Sequence, residues 1–199
     1  MHGVEPIPDA ERTAGPLDLF RLIFGGANTI ATVVLGTFPI IFGLSFRDAL
    51  FATLAGLVLG PWRGFAATAL YLVVGFAGLP VFAGGAAGLG VLGKPSIGYL
   101  LSFPVAALVA GLFAQWFGGR QPRLLWMFLA GFGASVLIIH PAGVIGLMAV
   151  MQIDFAKAFA IDIAFWPGDV AKNLIAAAIA VAVHRAFPAL LAQRVPATA

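Results

Sequence analysis

The chain has 199 residues, of which 61% are hydrophobic and only 10% are charged. A soluble domain is about half apolar and about a quarter charged, so this composition excludes a water-soluble globule, a disordered chain and a fibrous repeat. Cysteine is absent, which excludes disulfides, thiol catalysis and thiolate metal sites. The formal net charge is +3, but the Lys and Arg residues are scattered singly, which argues against nucleic acid as a partner.

Six apolar stretches predict helices that cross a membrane, each of which needs about 20 mostly apolar residues. In chain order they are residues 22–42, 46–61, 64–80, 97–118, 124–150 and 168–187. The polar segment before them, 1–21, carries acidic residues and prolines rather than the positive start of a signal peptide. A short tail, 188–199, follows them. The sequence therefore predicts a single membrane domain, 1–199, of the all-α class.

The basic residues predict the orientation of these helices. One side of the predicted topology holds Arg12, Arg21, Arg63, Arg120, Arg123, Arg185 and Arg194. The other side holds Arg47, Lys94 and Lys157, while Lys172 lies within the last helix. Because cytoplasmic loops carry the excess of Lys and Arg, both termini are expected in the cytoplasm and the first, third and fifth loops outside.

Two of these outer loops are unusual in composition. The third, 78–99, is apolar and glycine-rich, which favours a lid over a cavity, with a flexible hairpin or a re-entrant segment as the alternative. The fifth carries Asp154 and Asp162, which mark it as interfacial, and residues 156–165 are expected to form a short helix lying on the membrane. Pro167 fits the first turn of the last helix.

The most informative polar residues are Asp169 and Lys172, near the start of the last helix. Their spacing of three places them on one helical face, close to the outer surface. They either line a polar cavity or form a salt bridge that anchors the helix. His140, near mid-membrane, is either a proton relay or a hydrogen-bond partner of another helix. No second metal ligand accompanies His140 in that span, so we expect no metal site.

The sequence has no GxSxG, HExxH or Walker motif, so neither hydrolysis nor ATP binding is expected. Active transport would take its energy from another protein or from an ion gradient, and no cofactor is expected. Ala27 and Ala31 form a small-residue face on the first helix, which lets another helix approach closely, from within the chain or from a partner.

Three strings carry a resemblance to a known family: GLPVFAGG at 78–85, KPSIGYL at 94–100 and PGDVAK at 167–172. Each alone would be weak evidence, but together they are specific. With them the chain resembles the BioY family, the biotin-binding membrane subunits of energy-coupling-factor (ECF) transporters. It departs from the family's usual strings at Arg47, Asp48, Lys94 and Ile97.

The resemblance implies a six-helix bundle in the bacterial cytoplasmic (inner) membrane, with a substrate pocket on the outer side. It implies that the subunit binds biotin and docks, through Ala27 and Ala31, on an energising module of a transmembrane coupling protein and two ATPases. Membrane lipid is a further expected partner. The residues expected to bind the ligand are Asp169, Lys172, Tyr99, Phe82, Gly84, Gly85, Ser96 and Trp166.

Two alternatives stay open. One keeps the fold but changes the ligand to another small vitamin or a biotin precursor. The other, from a different class, is an intramembrane enzyme that uses Asp169 and His140. Its weakness is the expected difference in depth between these residues, because Asp169 is predicted near the outer surface and His140 near mid-membrane.

Overall fold

A computed structural model describes residues 46–118 and 122–188, and these residues form helices and no β-strand. In chain order the helices are α1 (Phe46–Leu59), α2 (Pro61–Phe76), α3 (Ile97–Gly118), α4 (Leu124–Ala134), α5 (His140–Met151), α6 (Phe155–Ile163) and α7 (Trp166–Ala186). The predicted all-α class is confirmed for this part of the chain. The predicted first helix, 22–42, with Ala27 and Ala31, lies outside the described residues.

Three helical segments of the described part are long and apolar enough to cross a membrane: Ile97–Phe117, Leu124–Met151 and Trp166–Ala186. The middle one has 28 residues and joins α4 and α5 through a π-helical turn, Ser135–Ile139. All three agree with predicted spans. Helix α2 ends at Phe76, earlier than predicted, because Gly78 has a φ of 113° and Pro80 follows it.

Small residues let the helices approach closely. A Cβ placed on Gly98 in α3 would overlap the carbonyl oxygen of Ala142 in α5, and one placed on Gly56 in α1 would overlap that of Ala107 in α3. Such small-residue contacts are typical of packed transmembrane helices, whose association depends on van der Waals contact rather than on the hydrophobic effect. Helix α3 lies at the centre of the described residues, because it packs against α1, α2, α4 and α5.

The third loop folds into two short 3₁₀ turns, Ala83–Gly85 and Leu89–Gly93. The loop is held to α2 by Phe82, which is 4% exposed. The Phe82 ring meets Tyr71 and Phe76 edge-on, at centroid distances of 5.3 and 5.2 Å, and covers Gly75, where a Cβ would overlap the ring. This packing argues against a flexible hairpin.

Candidate functional site

The candidate site is built around the first turns of α7. The helix begins at Trp166, and Pro167 occupies its first turn, as predicted. Asp169 and Lys172 lie side by side, one helical turn apart, and Lys172 Nζ pairs with Asp169 Oδ1. Both residues are buried, with 5% and 6% of their surface exposed. A buried ion pair is retained only where further partners satisfy its remaining polar atoms, so the surroundings of the pair decide its role.

The second carboxylate oxygen of Asp169 faces His140 in α5. Asp169 Oδ2 lies 2.8 Å from His140 Nε2, within ion-pair distance, although the N–H direction is too oblique for a well-formed hydrogen bond. The expectation that these residues lie at different depths is therefore wrong. Helix α5 continues for 12 residues from His140 to Met151, about 18 Å, before the chain returns through α6. That return brings Asp169 back to the level of His140.

Asp162, from α6, holds the other side of the His140 ring. His140 Nδ1 lies 2.8 and 3.0 Å from the two oxygens of Asp162. The Tyr99 hydroxyl donates to Asp162 Oδ1 at 2.8 Å, and the Trp166 indole donates to Asp162 Oδ2 at 3.0 Å. Asp162 is fully buried, so these donors replace its hydration.

Asp162 is buried within the protein, which the interpretation of the fifth loop as interfacial did not predict. Helix α6 forms as predicted, but it directs Asp162 inward, on the same buried face as Ala158, while Asp154 and Lys157 remain exposed. The sequence did contain a signal. Trp166 follows Asp162 by four residues, about one helical turn, and the N–H of a partly buried indole usually finds an acceptor.

A further polar layer lies one helical turn along α7, at Asn173. Its Nδ2 donates to the backbone oxygen of Asp169 at 2.8 Å and to Ser135 Oγ at 3.1 Å. Ser135 begins the π-helical turn, an irregularity that is frequent at functional sites. The sequence did not single out Asn173, because its partner Ser135 comes from a distant part of the chain.

The predicted site residues divide into two groups. Tyr99 and Trp166 join the network of Asp169 and Lys172. The other four lie on the third loop or at its end. Ser96 is buried. Gly84 and Gly85 have φ of 67° and 75°, a conformation that favours glycine, and no atom lies within 4 Å of where a Cβ would stand.

No hydrogen bond within the described ranges joins those four loop residues to Asp169. Of the departures from the family strings, Lys94 is exposed and Ile97 is buried in the core.

A cavity of about 390 Å³ lies elsewhere, between α1, α2 and α7. It is almost wholly apolar and includes Tyr71 and Phe103 but none of the predicted polar contacts to a ligand. In the part of the chain that the structure describes, no group of three or more His, Asp or Glu residues is placed to hold a metal ion.

The comparison with known proteins decides the family. The model of the BioY family matches residues 17–189. The chain belongs to the BioY family. It is 30% identical to "Biotin transporter BioY" of Rhizobium etli, over 88% of this chain and 94% of that relative. It is 31% identical to the BioY protein of the same description from Rhodobacter capsulatus, over 92% of this chain and 99% of that relative.

A solved structure supports the fold of this BioY chain. It is described as the S-component for biotin from an ECF-type ABC transporter. The TM-score is 0.67 at 20% sequence identity, over 81% of this chain and 92% of the other. The fold of this chain is therefore similar to the fold of that protein.

Proposed function

We propose that this protein takes up biotin as the substrate-binding S subunit of an ECF-type transporter. The observation that carries the proposal is its similarity, along nearly its whole length, to relatives named biotin transporter BioY. The buried ion pair of Asp169 and Lys172 adds a chemical reason, because it supplies an acceptor and a donor at one place. A transporter subunit of this family is not an enzyme, so the pair serves binding rather than catalysis.

The chemistry of biotin fits the residues around Asp169. Biotin has a flat ureido ring with two N–H donors and one carbonyl, a thiophane ring and a carboxylate tail. An ionised carboxylate only accepts hydrogen bonds, so Asp169 suits the ureido N–H groups. Lys172 only donates, so it suits the ureido carbonyl or the carboxylate. Tyr99 and Trp166 would wall the rings, since both aromatic side chains are fixed by Asp162.

The third loop is proposed as the lid of the pocket. It is pinned to α2 by Phe82, and its last residue before α3 is the buried Ser96. Gly84 and Gly85 have open space beside their backbones, so a ligand can approach the loop closely at this point. The loop leads into the first turn of α3, where Tyr99 joins the polar network, so ligand binding and lid closure would share a structural element.

The membrane arrangement belongs to the same proposal. It comprises six spanning helices, a pocket on the outer side and both termini in the cytoplasm of a bacterium. The chain has no ATP-binding motif, so a separate module of a transmembrane coupling protein and two ATPases would drive release inside. Ala27 and Ala31 are the proposed contact with that module.

The second candidate keeps the subunit class and changes the ligand to another small vitamin or a biotin precursor. The specific observation is Lys94, which departs from the family's usual string two residues before Ser96 and is exposed. A cation at the loop would favour a ligand with a different anionic group.

The decisive experiment is purification of the protein from cells followed by mass spectrometry of the small molecules that co-purify. We expect biotin, and saturable biotin binding by ligand-free protein. An Asp169→Asn/Lys172→Ala variant, purified identically, controls for non-specific carry-over. Another vitamin in the spectrum would select the second candidate. If neither co-purified biotin nor saturable binding is found, the proposal fails.

A further inference from the structure

His140 lies between two carboxylates, and this arrangement restricts its protonation. Its Nδ1 is 2.8 Å from an oxygen of Asp162, and its Nε2 is 2.8 Å from an oxygen of Asp169. A neutral imidazole carries one N–H and offers a lone pair at the other nitrogen. With a carboxylate on each side, one of these contacts would then place a lone pair against an anion. Only an imidazolium presents a proton to both.

The charges of the cluster balance when His140 is an imidazolium. Two cations, His140 and Lys172, then face two anions, Asp162 and Asp169. Each oxygen of Asp169 meets one of the cations. A neutral His140 would leave one unit of negative charge in a buried site, which is costly because burial removes the charge from bulk solvent. Besides these groups, Tyr99 is the other titratable side chain that reaches the cluster from the described helices.

Asp162 and Asp169 have different surroundings. Asp162 already accepts from three side chains, of Tyr99, Trp166 and His140, and it is fully buried. It has little capacity left for a ligand. The carboxylate of Asp169 is held by its ion pairs with Lys172 and His140, and the contact with His140 is not aligned as a hydrogen bond. Asp169 is therefore the carboxylate that can reorient toward a ligand, while Asp162 fixes the ring.

We propose that protonated His140, held by Asp162, is a positioning residue of the ligand site, which sets the orientation and charge balance of Asp169. The inference rests on the proposed function, since it concerns how the same site binds biotin. When His140 loses its proton, its Nε2 lone pair faces Asp169 and displaces that carboxylate from its binding position. Biotin affinity therefore depends on the protonation state of His140.

The test is the biotin dissociation constant of purified protein measured from about pH 5.5 to about pH 9.5, a range in which a free carboxylate stays ionised and a histidine titrates. In wild type we expect biotin affinity to fall about tenfold or more as the pH rises, following the titration curve of a single group. Hydrogen bonds to charged groups are worth about that factor. His140→Gln should bind weakly throughout, with a flat profile.

Charge balance gives a second readout. The double variant His140→Gln/Asp162→Asn removes one cation and one anion, so it should bind biotin more tightly than His140→Gln alone. A purely structural role predicts losses that accumulate instead. Lys157→Ala, at an exposed ion pair with the same spacing, is the matched control and should keep the wild-type profile. Thermal melts identify variants that do not fold. If the variants do not fold, the test uses the wild-type pH profile together with ¹⁵N NMR of the histidine ring. The NMR spectrum should show two protonated ring nitrogens for His140.

The two possible failures are distinguishable. If wild-type protein binds no biotin at any pH, the proposed function fails and this inference fails with it. If wild type binds biotin with a flat profile and the double variant is weaker than His140→Gln, the proposed function stands and the role of His140 is overturned.

Discussion

The hydroxyl of Tyr99 and the carboxylate of Asp162 join α3 to α6 through a buried hydrogen bond of 2.8 Å. Helix α6 is short, and it packs mainly against α5 among the described helices. The bond therefore connects a nine-residue helix to the central helix of the described fold. It also fixes the Tyr99 ring, which lies over Gly143, where no Cβ would fit.

Tyr99→Phe should destabilise the protein, because it removes one of the donors to a buried carboxylate. Hydrogen bonds to charged groups are worth about 1.5–3 kcal/mol, so a melting temperature lower by several degrees is expected. Equal melting temperatures for Tyr99→Phe and wild type would contradict the structural weight given to this bond.

The long helices could be predicted because a run of about 20 apolar residues has few alternatives in a membrane. The shared face of Asp169 and Lys172 followed from helical spacing alone. The partners of this pair could not be predicted. His140, at the start of α5, meets Asp169, in the first turn of α7, only because α6 carries the chain back along α5 before α7 begins.

The burial of Asp162 is a second feature that could not be predicted from the sequence. Its charge at the end of a loop indicated the membrane surface, whereas its buried position depends on donors from α3, α5 and α7. The presence of three donors offsets the cost of burying the charge, and no local pattern reports donors that come from distant helices.

Because α3 and α5 are in close contact at Gly98, a larger side chain at this position should strongly lower the stability of the protein. Gly98→Leu should lower stability by about 1–3 kcal/mol or prevent folding, because the new side chain meets the backbone of Ala142. Gly90→Leu introduces the same side chain where a Cβ has open space, and it should be tolerated. Thermal melts of the two purified variants make the comparison. A normal melt for Gly98→Leu would show that these helices are not as close as described.

The distribution of basic residues predicts the orientation of the chain. A reporter active only in the cytoplasm, fused after Ala199, should be active. A reporter active only outside the cytoplasm, fused at the same position, should be silent. The reverse pattern would place the third loop, the proposed lid, on the cytoplasmic side.

The small-residue face of the predicted first helix predicts a docking site. Ala27→Trp or Ala31→Trp should abolish assembly with the energising module and biotin uptake, because a large side chain keeps the partner helix away. Biotin binding by the isolated subunit should remain. Ala27→Gly keeps the face small and should assemble normally. Loss of binding with intact assembly would place this face inside the subunit instead.

The Asp169–Lys172 pair gives the sharpest test of the site. Asp169→Asn keeps the shape but turns half of the polar end into a donor, and it leaves Lys172 without its anion. Since a hydrogen bond to a charged group contributes about 1.5–3 kcal/mol, biotin affinity should fall by roughly one to two orders of magnitude. Lys172→Ala should have an effect of similar size. Both dissociation constants are measured by titration of ligand-free protein.

The competing explanation is that the pair only anchors α7. It predicts a lower melting temperature with near-normal affinity in the protein that remains folded, so each titration is accompanied by a thermal melt. Lys157→Ala is the matched control, because Lys157 and Asp154 form an ion pair of the same spacing, at 3.0 Å, on the exposed side of α6. Surface pairs of this kind contribute little to stability, so that variant should change neither measurement. Normal affinity in both site variants, with reduced melting temperatures, would remove Asp169 and Lys172 from the ligand site.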